Sequence, residues 1–250
     1  MKKFTLCLLL LSLFVGCGEQ EKKEYFESGE VSVQSFYKGD KKHGKSTEFY
    51  ESGVVSKKLN YRNGDLSGEN VTYYPDGKIK SIINYRDGKK HGEATFYYPD
   101  GSLKEKAEYK NGKLYGEDIL YYPNGNIEQK SIYKDGKRNG ITYAYYSDGK
   151  LQGEMEFKDG KRDGKSLWIS PTGVLIEKSF YKDDKLDGEF FVYYDNGQVQ
   201  AKGIYKENLL QGDFTTYDRN GKVLEKTNYE NGREAVSYTH LRAHETRSNL

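Results

Sequence analysis

Between Ser102 and Tyr109, apolar and charged residues alternate. Leu103, Ala107 and Tyr109 fall on one parity, with Glu105 the exception, and Lys104, Lys106 and Glu108 fall on the other. A two-residue period puts the two sets on opposite sides of a strand, as in a half-buried antiparallel sheet. Ile79, Ile83 and Tyr85 repeat the scheme in one copy, and Leu151, Met155 and Phe157 in another. Just upstream, Glu93 to Tyr98 is rich in aromatic and β-favouring residues and reads as the partner strand. Pro99-Asp100-Gly101 predicts the turn between them, since Pro presets the first corner and Gly takes the left-handed position. Arg86 to Gly92 carries two glycines and predicts a second turn region. Each unit is then a β-hairpin, and successive hairpins join through this second turn.

The pattern is strictly periodic. Tyr37, Tyr61, Tyr85, Tyr109, Tyr133, Phe157, Tyr181, Tyr205 and Tyr229 are each 24 residues apart. Seven positions after each of the first eight stands a glycine, from Gly44 to Gly212, and a second glycine ladder runs from Gly29 to Gly221. Self-similarity at this period means a repeat architecture. The fold class that follows is all-β: an elongated repeat array of antiparallel β-hairpins over residues 25–234, forming a single twisted meander sheet. The array starts in mid-unit at Tyr25, and the repeats near Ile169-Ser170 and Asp183-Asp184 are degenerate.

Hydrophobic residues make up 35% of the 250-residue chain, low for a globular protein, while glycine and tyrosine number 28 and 24. That balance suits a thin sheet in which each unit buries surface only against its neighbours. Forty basic and 38 acidic side chains leave a formal charge of +2, which argues against a nucleic-acid partner bound through a basic surface.

The ends differ from the array. Lys2 and Lys3 precede the apolar run Phe4 to Val15, which Gly16-Cys17 closes. Residues 1–16 therefore read as a lipoprotein signal peptide. Leu13-Phe14-Val15-Gly16-Cys17 resembles a bacterial lipobox, with Cys17 the lipidated residue and residues 17–24 a polar tether. Cys7, the other cysteine, lies inside the removed segment, so the mature chain has no disulfide or zinc-thiolate chemistry to offer. At the other end, residues 235–250 break the register. Val236 stands where a glycine is due, and the segment resembles peptide sequence read through a sequencing adapter.

The unit Y-x-x-G-x-x-x-G followed by Y-Y-x-x-G-x-[ILV] resembles the MORN repeat, in the variant found in bacterial proteins of the YwqK type. Clear copies are Tyr61 to Asn84, Tyr85 to Glu108, Tyr109 to Ile132 and Tyr133 to Glu156. The commoner MORN pattern has a Trp between its glycines, whereas the single tryptophan here, Trp168, lies in a strand. The resemblance implies non-enzymatic work in protein interaction and scaffolding, with some bacterial relatives described as antitoxins. A kinase role, which the family name sometimes carries, finds no kinase domain and no phosphate loop in this sequence.

The candidate binding surface is the set of tyrosine pairs: Tyr73-Tyr74, Tyr97-Tyr98, Tyr121-Tyr122, Tyr145-Tyr146 and Tyr193-Tyr194. Adjacent strand residues point to opposite faces, so each pair offers one ring per side. Packing against the next repeat is the first expectation, and an exposed ladder for a glycan or protein partner is the second. No catalytic set or cofactor motif emerges. His43 and His91 occupy one repeat position, as a polar turn residue would. The D-G-K segments lack the run of oxygen ligands a calcium site needs, so no metal is expected. The sequence thus reads as a membrane-tethered, non-enzymatic interaction or scaffold module of the cell envelope. It would be held to a bacterial membrane through the lipid on Cys17 and bind a protein of unknown identity. The alternatives are an antitoxin or immunity-type protein masking a toxin, and a glycan- or peptidoglycan-binding surface.

Overall fold

The structure is a computed structural model and describes residues 14–15 and 18–238. Among these residues the regular elements are all strands, each antiparallel to its neighbours in meander order, as the sequence pattern requires. Contacts divide the chain into two compact units. The first takes the described residues up to 127 together with 133–136, and the second takes 128–132 and the residues from 137 onward.

The repeat around Tyr85 shows how the hairpins are built. Strand Ile79–Arg86 turns at Asp87-Gly88 into strand Lys89–Tyr97, which turns again into Leu103–Lys110. Asp87 and Gly88 both have positive φ, at 49° and 74°, the pattern of a type I′ turn, whose twist matches that of the flanking strands. At the other end the Tyr98 N–H donates to the Ser102 carbonyl at 2.8 Å, and the Gly101 N–H donates to the Tyr98 carbonyl at 2.9 Å. With Gly101 at φ 95°, this is the tight Pro-Asp-Gly turn read from the sequence.

One boundary needs correction. The sequence places Gly92 in a turn and starts the strand at Glu93, but the strand begins at Lys89. Gly92 sits inside it, where the register against Ile79–Arg86 jumps from Ile83–Ala94 to Tyr85–Lys90. It is a bulge glycine. On its other side Gly92 lies opposite Tyr109. The same pairing joins Gly44 with Tyr61 and Gly68 with Tyr85 in the first unit, and Gly164 with Tyr181 and Gly212 with Tyr229 in the second. The two ladders of the sequence thus meet, each glycine leaving room across the strands for the aromatic of the following repeat.

The predicted alternation holds in Leu103–Lys110, where Ala107 is buried, Leu103, Glu105 and Tyr109 are half-buried, and the intervening residues are exposed. The centre of the inner face is a row of small residues rather than the apolar core expected. Ser35 faces Ser46, Ile83 faces Ala94 and Ala94 faces Ala107 in the first unit, and Ser166 faces Ser179 in the second. The buried apolar residues are alanines: Ala94, Ala107 and Ala201. In a single layer, flanking side chains close over the middle of the strands, where Asn70 and Asp118 are buried alongside the small residues. Buried hydroxyls in that row must pair with one another; Ser35 and Ser46 do so at 2.6 Å, and the Thr142 hydroxyl donates to Ser131 Oγ at 3.2 Å.

The sheet also extends beyond the repeat boundaries. Strand Glu19–Tyr25 pairs along its length with Val31–Lys38, so most of the segment read as a polar tether is sheet. Phe14–Val15 pairs with Glu19 and Gln20. At the far end Arg233–Tyr238 pairs with Val223–Glu230, which carries the sheet into the atypical tail. Alternating polar residues extend a ladder as well as apolar ones when backbone hydrogen bonds supply the pairing. Cys17, most of the signal segment and residues 239–250 lie outside the described residues.

Candidate functional site

The two members of each tyrosine pair do different things. Tyr97 is the last residue of its strand and Tyr98 begins the turn. The Tyr98 hydroxyl donates to the Tyr121 carbonyl of the next repeat at 2.8 Å. Tyr50 reaches Tyr73 in the same way at 2.7 Å, Tyr74 reaches Tyr97, Tyr146 reaches Ile169 and Tyr194 reaches Tyr217. The second tyrosine is therefore a clasp between repeats. The first stands on the face that carries Thr95 and Lys106, opposite the row of small residues. The hydroxyls of Tyr73, Tyr97, Tyr121 and Tyr193 make no hydrogen bond among the described residues. All ten tyrosine rings of the five pairs are half-buried.

On the inner face several of the period-24 aromatics are covered by cations. Lys42 Nζ lies 5.2 Å from the centroid of the Tyr61 ring, Lys90 Nζ 4.7 Å from Tyr109, and the Arg162 guanidinium 4.0 Å from Tyr181. Burial raises the hydroxyl pKa of Tyr61 and Tyr109, and nearby carboxylates add to it. Sequence reasoning missed this cation row. Its signal was a basic or aliphatic residue five positions after each aromatic.

Glu105 is the inward-facing exception noted in the alternation. Burial pushes its carboxyl above the ordinary range, and the Asp118 carboxylate pushes it further. A carboxyl raised by folding costs stability when charged, and the cost disappears once pH falls through its folded value toward about 4.3, the unfolded one. Glu105→Gln is therefore expected to unfold at a higher temperature than the parent at pH 7, with the gap closing near pH 4. An equal gap at both values would mean that packing, not charge, sets the effect.

His43 Nδ1 accepts from the Asn63 N–H at 3.4 Å, and His91 Nδ1 lies 3.3 Å from Asn111 Oδ1. The two histidines make equivalent contacts to the next repeat's turn, but they lie within strands Lys41–Phe49 and Lys89–Tyr97 and are half-buried, not solvent-facing turn residues. The described residues contain no group of three or more His, Cys, Asp or Glu placed to hold a metal ion. Two hollows are open to solvent. One of about 260 Å³ is lined by Lys137, Lys158, Asp159, Lys161, Asp163, Lys182 and Asp183. Another of about 280 Å³ lies among Lys45, Lys58, Asn60 and Glu69. The arrangement offers extended, repeated surfaces for contact.

A family model described as the MORN repeat variant matches the chain at residues 42–63, 66–87, 90–111, 114–135, 138–159, 162–183, 186–207 and 210–231. The matched windows begin every 24 residues, in the phase of the glycine ladders. No curated protein matches significantly. Among solved structures, the crystal structure of TcdB2-TccC3-Cdc42 is 13% identical, with a TM-score of 0.21 over 84% of this chain; the chain spans only 13% of that one. A porin-like protein from Bacteroides uniformis is 12% identical, with a TM-score of 0.19 over 88% of this chain and 94% of its own.

Proposed function

The chain belongs to the MORN repeat variant family, and from that premise we propose that it is a lipid-anchored, non-enzymatic module that holds a protein partner in the cell envelope. Membership makes it a repeat-protein binding module; the anchor, the compartment and the partner's nature are the further steps. The observation that carries the reading is the division of labour within the tyrosine pairs. In the first unit Tyr74 and Tyr98 are used up as clasps, while Tyr73, Tyr97 and Tyr121 keep hydroxyls that make no hydrogen bond among the described residues. A half-buried ring with a free hydroxyl brings large contact area at low entropic cost, which is why tyrosine is enriched at interfaces. Tyr193 holds the equivalent position in the second unit, and its hydroxyl likewise makes no hydrogen bond among the described residues. The lipobox ending at Cys17 supports the anchor.

The test is crosslinking and recovery of the protein from its native membrane, with Cys17→Ala and a Tyr73→Ala, Tyr97→Ala, Tyr121→Ala variant alongside. The expected result is a protein partner retained by the parent and lost from the tyrosine variant, with Cys17→Ala released from the membrane. Recovery of glycan fragments without a protein would move the assignment to wall binding. A partner whose gene adjoins this one and encodes a toxin would make it an immunity protein. Undiminished recovery by the tyrosine variant would remove this face from the reading.

A further inference from the structure

The two-residue turns at one edge of the sheet are flanked by facing cations. In the first unit Lys38 lies opposite Lys41, Arg86 opposite Lys89 and Lys110 opposite Lys113. All six are exposed. Like charges directly opposite in an antiparallel pair are destabilising, so such pairs need compensation. The second unit supplies it. Lys158 faces Lys161 and Lys182 faces Lys185, but Lys161 pairs with Asp183 at 3.1 Å, Lys182 with Asp163 at 3.1 Å, and Lys185 with Glu207 at 3.6 Å. Each acid belongs to an adjacent repeat, so the edge there is stapled from repeat to repeat.

The first unit keeps the facing cations at these three turns without the stapling acids, while its turn at Asn63-Gly64 sets Arg62 opposite Asp65. At the positions that hold Asp163 and Asp187 in the second unit stand His43, Ser67, His91 and Tyr115, and two of its turns use Asn63 and Asn111. The acids that do occur at these turns, Asp40, Asp65 and Asp87, form no ion pair with the six cations. A local rule is thus broken in one unit and obeyed in the other, on one repeat template, and uncompensated breaks of this kind mark functional sites. Net charge hides the feature, because the acids that balance it lie elsewhere.

We infer that this edge of the first unit binds a linear phosphate-bearing polymer. Strands about 4.8 Å apart place successive turns of the edge roughly 10 Å apart, so the Arg86–Lys89 and Lys110–Lys113 pairs are neighbours in a file that the Arg62–Asp65 turn separates from Lys38–Lys41. Lysine binds phosphate oxygens as a compact point charge, and the fork of an arginine such as Arg86 matches them as well. The turn tips are Gly39-Asp40, Asn63-Gly64, Asp87-Gly88 and Asn111-Gly112. They bring no aromatic or aliphatic side chain that could enter a lipid interface. A hydrated chain of phosphates laid along the file fits these features better than a membrane surface does.

The test compares two variants of equal net charge in the full-length protein. One carries Arg86→Gln, Lys89→Gln, Lys110→Gln and Lys113→Gln. The other carries Lys158→Gln, Lys161→Gln, Lys182→Gln and Lys185→Gln. Long-chain inorganic polyphosphate is the probe, with orthophosphate, a single-stranded oligonucleotide and vesicles of anionic lipid as competitors. The first variant should lose about tenfold or more in affinity at low salt, and its salt slope should fall by up to about 3, near 0.7 for each cation removed. The second should bind like the parent. The first variant should also keep or raise its unfolding temperature, because facing like charges have been removed. Competition by the oligonucleotide at equal phosphate concentration would assign the edge to nucleic-acid backbones, and weak competition would assign it to a non-nucleic phosphate polymer. Equal loss in both variants, competition by orthophosphate at equal phosphate concentration, or tighter binding to the vesicles would overturn the inference.

Discussion

Gly188→Ala is expected to destabilise the second unit by about 3 kcal/mol, and the equivalent Gly212→Ala by about 1 kcal/mol. The two glycines hold one repeat position, each opposite the aromatic of the following repeat, Tyr205 and Tyr229. Their surroundings differ. Gly188 has φ 129°, and a Cβ built there would lie 3.0 Å from Phe180 Cβ; Gly212 has φ 67°, and a Cβ would meet nothing within 4 Å. Alanine at position 212 therefore bears only the usual cost of a left-handed backbone, about 1 kcal/mol. At position 188 it bears a less accessible backbone geometry and an overlap with a strand neighbour. Trp168, the single tryptophan, lies in strand Lys161–Ile169, two strands from Gly188, and reports on this unit. Urea denaturation followed by its fluorescence should show a midpoint lowered by roughly 1–3 M for Gly188→Ala, taking a slope of about 1–3 kcal/mol per M. Equal shifts for the two variants would mean that φ alone sets the cost and that the Phe180 contact relaxes freely.

That contrast shows what the sequence carries. The 24-residue period, the Pro-Asp-Gly turns and the alternation around Ala107 were legible because each is a local signal with a local cause. The repeat at Asp183-Asp184, degenerate in sequence, keeps its turn: both residues have positive φ, at 49° and 70°. Asp tolerates that region through its short polar side chain. Gly92 was misread because a bulge and a turn draw on the same property of glycine. Only the pairing of Lys89 and Lys90 with Arg86 and Tyr85 tells them apart. The small-residue row was hidden for a similar reason. Ser46 or Thr142 looks like a surface residue until the strands on both sides are in register.

The candidate site was legible in part. Tyrosine pairs stood out by composition, but their two roles did not, since the acceptor of each clasp lies 23 residues further along the chain. The basic edge was concealed by a formal charge of +2, a sum that cannot separate stapled lysines such as Lys161 from unpaired ones such as Lys113. Repeats that share a backbone but differ in a few turn residues write such differences in positions, and totals erase them.

The clasp makes the second large prediction. Replacing Tyr50, Tyr74 and Tyr98 together by phenylalanine keeps three rings and removes three hydrogen bonds between repeats, each 2.7–2.8 Å long. One such bond contributes about 1 kcal/mol net. The three lie in different repeats, far enough apart to add, so the first unit should lose about 3 kcal/mol. The matched control is Tyr73→Phe, Tyr97→Phe, Tyr121→Phe, which removes hydroxyls that make no hydrogen bond among the described residues and should stay within about 0.5 kcal/mol per site. In a repeat array, stability is the sum of unit terms and neighbour terms, and the clasp belongs to the second kind. Its loss should therefore broaden the urea transition followed by far-UV circular dichroism as well as lower its midpoint, because neighbouring repeats then unfold less in concert. The control set, with its transition intact, should still weaken any partner whose recognition uses the free hydroxyls. If the two triple variants unfold alike, the clasp is not a coupling element, and the division of labour within the tyrosine pairs fails with it.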